Sequence, residues 1–427
     1  MSRYQQQLTA LVNYFKSGEK SPADFRVGME IEHFILEEKS LKAVPYYGEQ
    51  GIEGILNELA GSTWKPLYEA GKVIGLKGEK ASISLEPGGQ LELSILPQET
   101  IGQVDRVYRD FLEELLPILR RGNKVMLAVG YQPESLIKDI PLLPKKRYQY
   151  MYQYFKTRGK YAHNMMKGTA AIQANLDYES EEDFKRKMQI SYYLAPLIYA
   201  IFDNAPFFEG RLSRRTIRLV IWNNCDRDRC GLVEGVFAED FGYASYAEYL
   251  LNRPAMIIEK GDRLVYVGKS LVKDIFEPGN DEEIEHLLSM VFPDVRLKKY
   301  IEIRMGDSLP YPYSLGYLAF WQGLLYNKRN LDILYGEAKS FTGRVMLEIR
   351  QEIERHGLKA SFAGRPLFGK FKELLVMAGR GLRDEDKKYL TAIEEMVKAG
   401  LTPRQKTLNN LELGKKEALS WCQLKEG

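Results

Sequence analysis

The sequence predicts an α+β protein with a mainly antiparallel sheet and a helical C-terminal third. Short segments of alternating, strand-like character recur as far as Met305, helix-periodic stretches lie between them, and after Tyr313 the pattern is almost wholly helical. In chain order, a first helix is predicted over Tyr4–Phe15, then a turn at Ser21-Pro22 and a strand through Arg26–Leu36. Further strands are expected at Ser82–Glu86, Gln90–Ile95, Val125–Gly130, Ala170–Tyr178, Ile217–Trp222 and Tyr300–Met305. Helices are expected at Thr100–Arg120, Glu181–Phe202 and Asp281–Met290. The second of these opens on Ser180 followed by Glu181, Glu182 and Asp183, an N-cap with acidic residues in the first turn. No repeat, low-complexity tract or long linker interrupts the chain. Residues 1–427 therefore read as one domain, with a sheet-forming core over about 22–310 and a helical region over about 314–427.

Composition narrows the function. With 27 Tyr, 18 Phe and 4 Trp to bury, disorder is excluded. Lys and Arg (61) nearly balance Asp and Glu (58), without the basic excess of a nucleic-acid binder. No run of about 18 apolar residues predicts a membrane span, and Met1–Lys20 lacks the apolar core of a signal peptide. Three cysteines, Cys225, Cys230 and Cys422, suit a reducing compartment, and a cytoplasmic protein is expected. Cys225 and Cys230 read as free thiols in a loop ahead of a redox pair. Zinc is disfavoured because no CxxC or His pair stands nearby.

Four strand-like segments share a peculiarity: each places polar or charged residues two apart, on one face. The pairs are Glu30 and Glu32, Gln173 and Asn175, Glu302 and Arg304, and Glu86 with Glu92 across a Pro87-Gly88-Gly89 turn. A solvated sheet face is the plain alternative for any one of them. Four together present short-armed oxygen donors, and like charges so close destabilise a sheet unless a cation sits among them. Glu30, Glu32, Glu86, Glu92 and Glu302 form a set of hard oxygen donors that suits magnesium or manganese, and such sites usually handle phosphates. No Walker A pattern is present: Gly268-Lys269-Ser270 resembles its end, but Arg263 stands where the first glycine is required. ATP, if used, must be held by metal ions and basic side chains. Arg304 could lie against a transferring phosphoryl group or simply pair with a neighbouring carboxylate. Lys145–Lys160 interleaves tyrosine with positive charge and is read as an amphipathic helix with snorkelling lysines rather than a nucleic-acid surface. Ser213–Arg218 is either a solvated basic strand or a segment presenting one guanidinium to a carboxylate.

Several segments, in order, resemble the motifs of plant-type glutamate–cysteine ligases. They are Val27–Phe34 (VGMEIEHF), Ser82–Ser94 (SISLEPGGQLELS), Ile140–Tyr148 (IPLLPKKRY), Gln173–Tyr178 (QANLDY), Asn204–Gly210 (NAPFFEG), Ile221–Gly231 (IWNNCDRDRCG), Val295–Asp307 (VRLKKYIEIRMGD) and Phe320–Tyr326 (FWQGLLY). The resemblance implies a glutamine-synthetase type of fold, a curved, mainly antiparallel sheet surrounded by helices. It implies metal-ligand roles for Glu30, Glu32, Glu86, Glu92 and Glu302, and for Gln173 where distant relatives carry a metal-binding histidine. Arg218 corresponds to an arginine that grips the glutamate substrate, Arg304 to one close to the transferred phosphoryl group, and Trp222 and Asn175 fall in pocket-lining segments. Cys225 and Cys230 do not match the regulatory cysteines of plant members. The implied activity is ATP-dependent ligation of the glutamate γ-carboxylate to the amine of cysteine, with Mg2+ (or Mn2+) as cofactor, the first step of glutathione biosynthesis. Glutamate, cysteine and ATP are then the partners, with no nucleic acid or membrane, in a monomer or homodimer. Transfer to a different amine, or a catalytically silent metal-binding scaffold, are the rival readings.

Overall fold

The computed structural model of the chain describes residues 1–261 and 263–425. Nine strands build one sheet: β1 (Val27–Glu37), β2 (Lys65–Glu69), β3 (Lys72–Lys77), β4 (Ala81–Leu85), β5 (Leu91–Gln98), β6 (Lys124–Leu127), β7 (Ala171–Leu176), β8 (Val295–Leu297) and β9 (Ile301–Asp307). Their order is β8-β9-β7-β1-β5-β4-β3-β2, with β6 on the far half of β1, and every neighbouring pair is antiparallel. The end strands do not meet, so the sheet is open rather than a barrel.

The register follows from one apolar face. Met29, Ile31, Ile83, Leu93, Ile172, Ala174, Ile301 and Ile303 are all buried and join the main core. Each large one contributes roughly 1.5–3 kcal/mol on burial, against ~0.2–1 kcal/mol for an unfavourable like-charge pair across strands. The apolar face therefore dictates the pairing and the polar face must accept it. A slip of one residue would turn the whole apolar set outward.

The helices that matter for the site are α1 (Arg3–Lys16), α2 (Ile101–Arg121), α3 (Lys146–Phe155), α4 (Ala162–Gly168), α5 (Glu181–Ile201), α6 (Ile217–Asn223) and α7 (Asp281–Leu288). Ser180 caps α5 by accepting from the Asp183 amide, as predicted. After Tyr313 helices dominate, interrupted by one two-residue hairpin, Ser361–Phe362 with Arg365–Pro366. Among the described residues no helix is long and apolar enough to cross a membrane.

One predicted strand is a helix. Ile217–Trp222 is rich in β-branched residues, yet forms α6. Ile217, Arg218, Leu219, Val220 and Ile221 are all buried, and a segment covered on every side carries no periodicity to separate strand from helix. The two longer hairpins outside the predicted strands escaped the sequence reading. The β2–β3 turn runs through Ala70 and Gly71, both at positive φ. The other joins Pro254–Lys260 to Arg263–Leu271. Gly268 sits within that second strand, so Gly268-Lys269-Ser270 forms no phosphate loop.

Candidate active site

The polar face of the sheet carries the predicted residues into register with one another. Glu30 pairs with Gln173 on one side and Ser94 on the other, Glu32 with Glu92, Glu92 with Ser84, and Asn175 with both Gly28 and Glu302. Glu86 arrives from the turn between β4 and β5. There the Gly89 amide donates to the Glu86 carbonyl at 2.8 Å, and Gly89 adopts φ +86°, a left-handed geometry that glycine tolerates. Helices α3, α4 and α6 close over this face and complete a cavity of ≈ 260 Å³. Glu30, Glu32, Glu86, Glu92 and Gln173 line it, together with Arg218 and Trp222 from α6 and Arg304 from β9. Asn175 is not among the lining residues. It stands behind Glu30 and donates to its Oε1 at 2.9 Å.

The five glutamates divide into two environments. Burial raises the proton affinity of Glu30, Glu32, Glu86 and Glu92, and neighbouring glutamates raise it further. Hydrogen bonds relieve this only in part. Ser84 and Ser94 each donate to Glu92 Oε1 at 3.0 Å, and the Ala171 amide donates to Glu32 Oε2 at 2.9 Å. Glu302 is fully buried, which alone would raise it too, but Arg296, Lys298 and Arg304 outweigh burial and hold it well below the usual carboxylate range. Its oxygens lie 2.7 Å from Arg296 Nε, 2.8 Å from Lys298 Nζ and 2.7 Å from Arg304 Nη1. Arg304 Nη1 also donates to Gln173 Oε1. Glu302 thus sits one layer behind the cavity wall.

As a donor set the quartet fits a divalent cation: half-buried oxygens, mutual repulsion and, among the described residues, no salt bridge within 4.0 Å to compensate. Among the described residues no three His, Cys, Asp or Glu side chains gather tightly enough to hold one ion by themselves. Magnesium seldom needs that many, since one or two carboxylates with phosphate oxygens and water complete its shell.

Both open questions about basic segments resolve here. Arg218 lies on a helix, 3% exposed, with Nη2 donating to the Arg304 carbonyl at 2.8 Å. Its Nε and Nη1 have no hydrogen-bond partner, and neither does Trp222 Nε1, one helical turn on. These are donors waiting for an acceptor. Lys146–Phe155 is a helix, as predicted, but not all of its charge points to water. Arg147 lines the cavity and donates to Ser289 O and Oγ at 3.0 Å.

Sequence reasoning assigned no role to Arg147, Arg296 or Lys298. Arg296 was discoverable: the short connection between β8 and β9 sets it opposite Glu302. Arg147 was not, because a helix with tyrosine and lysine all round does not say which face is inward. Cys225 is buried and Cys230 half-buried, and both are free thiols.

A family model described as glutamate-cysteine ligase family 2 (GCS2) matches residues 26–420. The chloroplastic glutamate–cysteine ligase A of Oryza sativa subsp. indica is 33% identical over 416 residues, covering 94% of this chain and 84% of that protein. The chloroplastic glutamate–cysteine ligase of Solanum lycopersicum is 34% identical over 415 residues, covering 93% and 78%. In three dimensions the chain is similar to a glutamate–cysteine ligase of Francisella tularensis solved in complex with AMP. The TM-score is 0.60 at 12% identity, covering 95% of this chain and 88% of that one, which supports the fold.

Proposed function

The chain belongs to glutamate–cysteine ligase family 2, and from that membership we propose that it uses ATP to join the γ-carboxylate of glutamate to the amine of cysteine. One observation carries the reading from the chain's own chemistry: four half-buried glutamates and the cations Arg147, Arg218, Lys298 and Arg304 face one cavity. Such a cavity holds a cation-bound polyphosphate beside an anionic substrate.

A carboxylate does not acylate an amine at neutral pH because its oxygen leaves poorly. Transfer of the γ-phosphoryl group of ATP to the glutamate side chain gives a γ-glutamyl phosphate and ADP. The cysteine amine then attacks the acyl carbon, and phosphate departs. Arg218 binds a glutamate carboxylate through its unpaired Nε and Nη1. Arg304, anchored on Glu302 and Gln173, faces the phosphoryl group and offsets its charge during transfer, with Lys298 and Arg147 supporting it from the cavity wall. Glu30, Glu32, Glu86 and Glu92, with Gln173 beside them, would hold Mg2+ or Mn2+. Bound there, the metal supplies charge neutralisation at the phosphate oxygens. Glu302 is assigned first to holding the three cations in place, and as a metal ligand only if the nucleotide draws them off it. Nothing in this scheme needs a Ser–His–Asp nucleophile, because the protein positions and neutralises. Three free cysteines support placement in a reducing compartment, for which we propose the cytoplasm.

Purified protein given glutamate, cysteine and Mg-ATP is expected to release ADP and γ-glutamylcysteine. Absence of any γ-glutamyl product refutes the assignment, whereas a higher kcat/KM for a non-thiol amine would keep the reaction and change the acceptor.

A further inference from the structure

One buried carboxylate near the cavity has no part in the scheme above. Asp307, the last residue of β9, is 1% exposed. Its Oδ2 accepts from the Asn204 amide at 2.7 Å, and its Oδ1 has no hydrogen-bond partner. Arg218 Nη1, equally unpartnered, faces that oxygen at 4.0 Å. The guanidinium is therefore fixed at one corner, on the Arg304 carbonyl, while Nη1 and Nε are left without a hydrogen-bond partner. Asp307 lies behind it. Ahead, across the cavity, Glu32 feels its charge.

We infer that Asp307 is a positioning residue that holds Arg218 away from the glutamate quartet, so that the guanidinium stays open to the carboxylate of the incoming amino acid. This rests on the ligase reading and extends it. Without a rear anion, the carboxylates that share the cavity with Arg218 are those of the quartet, and pairing there would block both the substrate contact and the cation-holding side chains. The fold keeps a place for this carboxyl. Gly130 abuts it so closely that a Cβ at that position would lie 2.0 Å from Asp307 Cγ.

Charged groups face Asp307 from three elements: Arg218 on α6, Asp203 just after α5, and Arg404 on the helix Pro403–Asn409, whose Nη1 is 3.6 Å from Asp203 Oδ2. Burial and then Asp203 push Asp307 up, and Arg218 and Arg404 pull it back, to about 7. The grip on Arg218 thus strengthens as pH rises through neutrality.

The test is steady-state kinetics of Asp307→Asn, which keeps the side chain's size and its acceptor for Asn204. The KM for glutamate is expected to rise about 10-fold or more, with kcat and the KM values for ATP and cysteine within about threefold. The wild-type rise in kcat/KM for glutamate between pH 6 and 8 should flatten in the variant. Gly130→Ala displaces the carboxyl without removing its charge and should give the same split, to a smaller extent, even if the Asn variant folds poorly. Unchanged glutamate KM in both variants, or equal increases for all three substrates, overturns the inference while leaving the ligase reading intact. If the wild-type protein makes no γ-glutamyl product at all, the reading falls and the inference falls with it.

Discussion

Glu302 and the quartet of Glu30, Glu32, Glu86 and Glu92 are the same side chain on the same sheet face, yet they live in opposite electrostatic worlds. Glu302 has three cations within 2.8 Å and is held ionised. The quartet has mostly hydrogen bonds and one another, and is pushed towards protonation. The difference lies in topology. Glu302 is on the β8–β9 hairpin, whose own sequence supplies Arg296, Lys298 and Arg304, so its neutralisation is local. The quartet comes from β1, β5 and a turn that bring no cations of their own, so the cations that act on it, Arg147, Arg218, Lys298 and Arg304, reach it from other elements and offset burial only in part. One carboxylate is tied into the fold by its ion pairs, and four stand at the cavity wall without such pairing among the described residues.

The contrast breaks most visibly at Glu302. Glu302→Ala leaves buried cations unpaired and should lose about 3–5 kcal/mol of stability, seen as a lower denaturant midpoint, along with turnover. A stable, active variant would dissolve the distinction.

Next in size is the response to divalent cation and pH. In the folded protein the quartet binds protons more tightly than in the unfolded chain. Its contribution to stability is therefore present at low pH and is lost as pH rises above the ordinary carboxylate range. Glu302 has the opposite sign, contributing above that range and losing its contribution as pH falls towards its depressed value. Mg2+ with nucleotide should then add less to stability on the acid side of the quartet's raised range than on its alkaline side, where the increment at saturating ligand is on the order of 2–3 kcal/mol. Calorimetry across that interval checks the slope; a pH-independent increment would mean that the quartet is not where the cation binds.

The smallest stability effect is expected from Glu92→Gln. Removing one like charge opposite Glu32 should leave the cation-free protein equally stable or better by up to about 1 kcal/mol, while turnover falls roughly 10²-fold. Unfolding curves and ADP release, measured together, should move in opposite directions. Parallel loss would place Glu92 among the structural residues.

Much of this was legible in the sequence because strand periodicity is a strong constraint. Residues two apart share a face, so Glu30 with Glu32 and Glu302 with Arg304 could be placed on one surface before any pairing was known. Pairing itself was not legible. Asn175 falls between Gly28 and Glu302 through contacts far apart in sequence, and so it backs Glu30 rather than lining the cavity. Helix α6 was misread because burial on all sides erases the signal that separates strand from helix. The protonation contrast was beyond reach for a related reason: which glutamate meets which cation depends on register, and composition is silent on register.

The strand order has a consequence for how the protein is made. Strand β1 emerges first from the ribosome and finds β5 soon afterwards, but its other neighbour, β7, and then β9, are translated much later. Until then one long edge of β1 lies open, while Glu30, Glu32, Glu86 and Glu92 are already translated and share the face beside it. Mutual repulsion among those acids discourages two nascent chains from zipping together along that edge. Charges placed for a pocket in the finished fold thus also count against edge-to-edge pairing of the unfinished one.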